Sequence, residues 1–216
     1  MSSRPRPAAV VATLALSACT AFATTFDSVD FFRAVNVDNA DSVSRMLAAG
    51  LDPNQLDPRG QPALLVALQG ESLKVAKVLL DAKGIQVDIR NHAGETPLMM
   101  AALKAEVDAA NALIAHGAAV QKDGWTPLHY AATGGSAAIV KLLVAKGATI
   151  EARSPNGTTP LMMAARYGNE EAVDTLLAAG ADRTARNDLG MDASAFAASA
   201  GREKLAARLK PGVAAK

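Results

Sequence analysis

Apolar side chains in this chain come in paired short stripes. Between Gly124 and Gly135, in "GWTPLHYAATGG", Leu128, Ala131 and Ala132 share one face of a predicted helix. Beyond Gly135, Ile139, Leu142 and Leu143 form a second stripe, with a period of about 3.6 residues. The residues between the stripes punctuate them. Pro127 suits the first helical position, where its missing N–H would have no partner, and Thr126 before it offers an oxygen to cap the first turn. Gly135 breaks the first helix, and Gly147 suits the left-handed position that ends the second. From Gly147 to Gly157 the chain is polar and rich in turn formers, which predicts a protruding hairpin.

The unit repeats. "GETPLMMAA" from Gly94 and "GTTPLMMAA" from Gly157 keep the same order, and "GQPAL" from Gly60 is a weaker copy. The steps between these motif glycines are 34, 30 and 33 residues, with 33 more to Gly190. A second landmark ends each unit: "LLDAKG" at Gly84, "LIAHG" at Gly117, "LLVAKG" at Gly147 and "LLAAG" at Gly180. "MLAAG", ending at Gly50, is the same landmark with no strong T-P-L before it. One unit cannot bury its own apolar faces, so neighbours must stack on both sides. A period of about 33 residues carrying T-P-L-H-x-A resembles the ankyrin-repeat family, over roughly residues 26–209. The resemblance implies an all-α solenoid of about five helix-turn-helix repeats with hairpin fingers. By register the repeats span 26–59, 60–93, 94–123, 124–156 and 157–189, followed by a C-terminal cap at 190–210 and a flexible tail at 211–216.

Three segments depart from the repeat. The first helix, "SVDFFRAVNVD", sets Phe31, Phe32, Val35 and Val37 where other repeats use Leu and Ala, as suits a terminal repeat with one side in water. The cap lacks T-P-L, and its charges Arg202, Glu203, Lys204 and Arg208 are expected to face solvent. The third departure is a length. From each helix-ending Gly to the next motif Gly there are ten residues at Gly50–Gly60, Gly84–Gly94, Gly147–Gly157 and Gly180–Gly190, but seven at Gly117–Gly124. The finger between repeats three and four is therefore trimmed, and Trp125, the only Trp, stands beside the gap.

The N-terminus reads as an export signal at 1–23. Arg4 and Arg6 precede the apolar run Ala8–Leu16, and Ala21-Phe22-Ala23 has the small-x-small form of a cleavage site. The expected destination is the bacterial periplasm, with a mature chain starting near Thr24. A competing reading takes Leu16-Ser17-Ala18-Cys19 as a lipobox, with Cys19 lipidated and the chain an outer-membrane lipoprotein; the short, Phe22-bearing stretch before the first repeat is a poor tether. Cys19 is the only cysteine, so a chain cut after Ala23 has neither a disulfide nor a thiol nucleophile.

Composition narrows the function. Half the residues are apolar but only 4% aromatic, which suits thin helical layers better than an aromatic-lined enzyme cavity. The formal charge is +1; without Arg4 and Arg6, 20 basic residues face 21 acidic ones. No basic stripe is visible, so nucleic acid is not the expected partner. No run of about 18 apolar residues follows the leader, so no membrane span is expected.

No catalytic, cofactor or metal site can be assembled. His92 and His116 fall on a finger and a helix end, too scattered for a metal set. Thr133-Gly134-Gly135-Ser136 has no strand before it and no Gly-Lys-Ser/Thr after it, so it is an inter-helix turn rather than a phosphate cradle. The pairs Met99-Met100 and Met162-Met163 read as core-adjacent. Glu170-Glu171 sit at a helix start, where they favour the dipole. The resemblance assigns His129 structural hydrogen bonds between loops.

What remains is surface recognition. Ankyrin proteins bind partners along a concave face of finger tips and first-helix ends. By register the finger positions here are Arg59, Gln61, His92, Glu95, Lys122, Trp125, Asn156, Thr158, Leu189 and Met191. The helix positions before the turn are Gln69, Lys104, Thr133, Arg166 and Tyr167. Trp, Tyr and Arg are frequent interface anchors. Trp125 is expected to be opened to a partner by the trimmed finger; the competing reading packs it locally over the gap. The expected product is a monomeric module that binds an unknown protein, with an inhibitor or immunity-type role as the alternative.

Overall fold

The computed structural model describes residues 27–210 and 212 of the 216. The leader, both of its cleavage readings, Cys19 and most of the tail lie outside them. Twelve helices follow one another in pairs. They are α1 (Ser28–Asn36) with α2 (Ala40–Ala48), α3 (Ala63–Gln69) with α4 (Leu73–Leu80), and α5 (Pro97–Leu103) with α6 (Val107–Ala115). Next come α7 (Pro127–Gly134) with α8 (Ala137–Ala145), α9 (Pro160–Arg166) with α10 (Glu170–Ala178), and α11 (Ala193–Ser199) with α12 (Glu203–Leu209). Odd-numbered helices pack on one another as an inner layer, and α2 through α10 stack behind them as an outer one. The described residues contain no strand, only an isolated antiparallel bridge between Leu56 and Pro62.

These helices have seven to nine residues each. Isolated helices shorter than about 12 residues are marginal in water, so stacking must hold them. Capping defines their starts. Thr96, Thr126 and Thr159 accept the N–H three residues on, with Pro97, Pro127 and Pro160 at the first helical position. Asn39, Ser136, Asn169 and Asp192 cap their helices in the same way.

The core is a ladder of small and branched side chains. Leu98, Leu128 and Leu161 lie buried in the inner layer beside the fully buried pairs Ala101-Ala102, Ala131-Ala132 and Ala164-Ala165. Val75, Leu79, Leu113, Ile139, Leu143 and Leu176 are buried from the outer layer. Close approach of the inner helices has one further requirement. A Cβ on Gly134 would lie 2.3 Å from the Leu103 carbonyl oxygen, and one on Gly168 would lie 2.3 Å from that of Ala132.

The two ends differ from the sequence expectation in instructive ways. Phe31, Phe32 and Val35 are buried as the first layer, whereas Val37 lies beyond the end of α1 and is 67% exposed. In the cap, Glu203 and Lys204 are exposed, but Arg202 and Arg208 are not free solvent charges. Arg202 Nη1 reaches back to the carbonyls of Ala164, Ala165 and Gly168 at 3.1, 2.9 and 2.8 Å. These carbonyls lie at and just past the C-terminal end of α9, where a cation is favoured; that of Ala164 also accepts the Gly168 N–H. Arg208 pairs with Asp174 at 2.8 Å and lies 3.6 Å from Glu170, joining α12 to α10. The expectation failed because both arginines are long enough to cross to the preceding repeat.

Candidate functional site

Four fingers are hairpins built alike. Asp57, Asn91, Ser154 and Asn187 each donate their N–H to the carbonyl four residues on and accept the N–H of the glycine three residues on. Gly60, Gly94, Gly157 and Gly190 stand at φ near +73° in these turns, the left-handed geometry that closes a three-residue hairpin loop. The Asp57, Asn91 and Asn187 side chains also accept the N–H groups two and four residues on, and Ser154 Oγ accepts the N–H of Thr158. All four are buried. The sequence reading missed these organisers, although Asp, Asn or Ser three residues before each motif Gly marks them. Burial pushes the Asp57 carboxyl up, but the Gln61 N–H, the Arg59 side chain and the Arg59 N–H together bring it below its usual range.

Some of the candidate surface is thereby tied to the scaffold. Arg59 binds Asp57 through Nε and Nη2 at 3.0 and 2.8 Å. Asn91 Nδ2 donates to Gln61 Oε1 at 3.0 Å and to Glu95 Oε2 at 2.7 Å, while the Tyr130 hydroxyl donates to Glu95 Oε1 at 2.7 Å. Gln61, Glu95 and Tyr130 thus join three successive repeats. Tyr130 was not singled out by the sequence; burial and then the Glu95 carboxylate raise its pKa. Gln69 Nε2 donates to Met100 Sδ at 3.5 Å, Lys104 pairs with Glu71 at 3.0 Å, and the Thr133 hydroxyl donates to the His129 carbonyl at 2.8 Å.

Thr158 leaves the candidate surface altogether. It is 1% exposed, and its carbonyl accepts from His129 Nε2 at 2.9 Å and from the Ser154 N–H at 3.0 Å. In this finger the residue after the Gly turns inward beside the N-cap Thr159, whereas Gln61, Glu95, Trp125 and Met191 at the same register stay partly exposed.

His129 is fully buried and uses both ring nitrogens. With Nε2 donating to Thr158, Nδ1 is left as acceptor for the Thr126 N–H at 3.2 Å and for its hydroxyl at 2.9 Å. This is the neutral imidazole. Burial lowers its pKa to about 4, against the pull of the Thr158 and Ala152 carbonyls and with help from Lys122. At the same register, Met99 and Met162 offer a sulfur to the Thr96 and Thr159 N–H groups, both at 3.4 Å. A thioether has no proton to give, so these two repeats lack the imidazole's bond to the next finger.

The trimmed finger supplies a substitute. Its seven-residue span has no hairpin N–H to meet the Trp125 carbonyl. Lys122 Nζ donates there instead at 3.1 Å, and to the Asp123 carbonyl at 3.0 Å. The Trp125 ring meets His129 edge-on, with centroids 5.2 Å apart, and is partly buried against the core. The indole is therefore half packing and half surface.

The remaining candidates are open. His92 is exposed and its ring covers Gly60, where a Cβ would come within 2.2 Å of Nε2. Asn156 is exposed at a finger tip, Leu189 is 78% exposed and Met191 is half-buried. The Arg166 guanidinium stacks 5.1 Å from the Tyr167 ring centroid, and Tyr167 is 56% exposed. Among the described residues no three His, Cys, Asp or Glu side chains gather as metal ligands, and no helix is long and apolar enough to cross a membrane.

Stacked helix pairs, T-P-L caps and glycine-closed fingers together define an ankyrin solenoid. A family profile described as ankyrin repeats matches in three copies, at residues 31–122, 119–187 and 149–212, and the chain belongs to that family. It is 41% identical over 71 residues to neurogenic locus notch homolog protein 4 of Homo sapiens, covering 33% of this chain and 4% of that protein. It is 38% identical over 92 residues to zygote-specific protein 3 of Chlamydomonas reinhardtii, covering 42% and 25%. The chain thus spans a quarter or less of these relatives. A solved structure of a predatory endopeptidase from Bdellovibrio bacteriovorus in complex with an immunity protein contains a similar chain. The match has a TM-score of 0.70 at 27% identity and covers 86% of this chain and 100% of that one. Ankyrin repeats mediate protein–protein interaction, and this is the class of function the fold carries.

Proposed function

We propose that the finger side of this solenoid holds a protein partner, and that the chain acts by binding rather than by catalysis. The observation that carries this reading is the set of large side chains left without a scaffold role: the Arg166–Tyr167 stack, Leu189 at 78% exposure and the outer half of Trp125. Such residues supply much of the contact energy in interfaces. The basic leader, apolar run and Ala21-Phe22-Ala23 support a periplasmic site of action.

A second reading is favoured by one specific observation, the likeness to a chain from an endopeptidase–immunity complex. In that reading the partner is an exported hydrolase, and this chain neutralises it.

Affinity capture from periplasmic extract, followed by mass spectrometry, tests both. Trp125→Ala, and separately Arg166→Ala with Tyr167→Ala, should each weaken binding of the captured protein by about 2 kcal/mol, as hot-spot truncations do. Unchanged affinity in both variants would reject the finger side as the binding surface. The immunity reading further requires that the captured protein lose hydrolase activity when the complex forms.

A further inference from the structure

The three residues missing from the trimmed finger leave an open notch of about 440 Å³ between it and the following finger. Gln121, Lys122, Asp123, Thr126, Thr149 and Arg153 are among its lining residues, so two cations and one carboxylate border it. Several long cations elsewhere find carboxylates: Arg33 has Asp30, Arg59 has Asp57, Lys104 has Glu71 and Arg186 has Asp192. Around the notch they do not. Lys122 gives two hydrogen bonds to backbone carbonyls, and Arg153 gives its own to the carbonyls of Gly157 and Arg186. Arg90, whose charge bears on Lys122, has no ion pair among the described residues. Asp123 is the one acidic group acting on Lys122, and it is exposed and forms no ion pair.

Burial and then the Arg90 charge lower the Lys122 pKa, against a weaker upward pull from Asp123, so this ammonium is partly out of water and feels a second cation. A cation so placed gains most from an anion that completes its shell. Lys122 has a third proton unused by the two carbonyls, and Arg153 offers a planar fork suited to a carboxylate.

We propose that this notch receives a carboxylate side chain from an acidic segment of the protein partner, held between Lys122 and Arg153 with Arg90 adding attraction. The inference rests on the protein-binding reading above and can fail separately from it. The site is a consequence of the deletion. A full-length finger would fill the gap, and its hairpin N–H would take the Trp125 carbonyl that now holds Lys122 in place. Charge of this kind sets which partner is accepted and how fast it arrives.

The test titrates the protein with acetyl-pentaglutamate-amide and with its pentaglutamine counterpart. It follows the fluorescence of Trp125, the only Trp, and the amide NMR shifts of residues 121–126. The glutamate peptide should give a saturable response that weakens with added salt, and the glutamine peptide should give none. Lys122→Gln and Arg153→Gln should each weaken the glutamate response at least fivefold, whereas Lys146→Gln should not change it. Arg153→Gln leaves the Lys122 bonds to the Trp125 and Asp123 carbonyls intact but gives up its own to the Gly157 and Arg186 carbonyls, so a thermal melt of the variant, expected to match the natural chain within a few degrees, separates lost charge from lost fold. Equal responses to the two peptides, an unaffected Arg153→Gln variant, or tighter binding of a thymidine dodecamer than of pentaglutamate would each overturn the proposal. A captured partner that binds both variants as tightly as the natural chain would overturn the notch and leave the protein-binding reading standing.

Discussion

Replacing His129 by Met, which this chain itself uses at the same register in Met99 and Met162, separates two roles of the imidazole. The first is a hydrogen bond. His129→Met loses the Nε2–H donated to Thr158, whose carbonyl keeps the Ser154 N–H, so the cost at neutral pH should be about 1 kcal/mol. The second is a buried base. Its pKa falls from 6.5 to about 4 on folding. The unfolded chain therefore takes up the proton first, and the stability this group contributes is complete above the unfolded value and lost as pH falls toward the folded one. Summed over that window, about 2 kcal/mol should be gone by pH 5 and about 3 kcal/mol by pH 4. The structural reason is that protonation would put a second N–H at Nδ1, facing the Thr126 N–H, in a site closed to water. Urea melts of both proteins at steps from pH 7.5 to 4.5, monitored by far-UV circular dichroism, measure the difference. Acid effects shared by the two chains, such as protonation of Asp57, cancel in it. The natural protein should start the more stable, and the variant should overtake it by about 1 kcal/mol at pH 5. Parallel pH profiles would refute both the neutral state and its cost.

Other changes probe the stack. Leu113, fully buried on α6 between neighbouring layers, should cost 2–4 kcal/mol, roughly, on truncation to Ala; a loss under about 0.5 kcal/mol in denaturant melts would contradict that packing. Gly168→Ala should destabilise by about 1–3 kcal/mol, because the added Cβ meets the Ala132 carbonyl of a backbone that cannot move aside cheaply. A neutral result in thermal melts would mean the inner helices can separate. Arg202→Ala should cost about 2 kcal/mol by removing the guanidinium from the carbonyls of Ala164, Ala165 and Gly168, of which that of Ala164 keeps the Gly168 N–H, while Lys204→Ala on the exposed face should stay within about 0.5 kcal/mol. Equal effects of the two would deny Arg202 its capping role.

Much of the fold was legible because each signal acts within one turn or one period. Thr-Pro pairs start helices, a left-handed Gly ends them, and apolar spacing shows which face is buried. Such rules need no knowledge of the neighbours. The recurrence of these signals every 30 to 34 residues then implied the stack, since one unit cannot bury its own faces. The trimmed finger was visible as a count of residues.

What only the tertiary structure decided are the meetings between residues about thirty positions apart. The bond from His129 to the Thr158 carbonyl, the reach of Arg202 to α9 and the Gln61–Asn91–Glu95–Tyr130 series each depend on how one repeat sits on the next. Register names the position of a side chain but not its partner. A long polar side chain can satisfy itself on either of two adjacent repeats or in water, and the choice depends on distances of an ångström or two that the stacking sets. For the same reason the deletion before Trp125 could be counted in the sequence, while the cationic notch it leaves became visible only when the two flanking fingers were placed side by side.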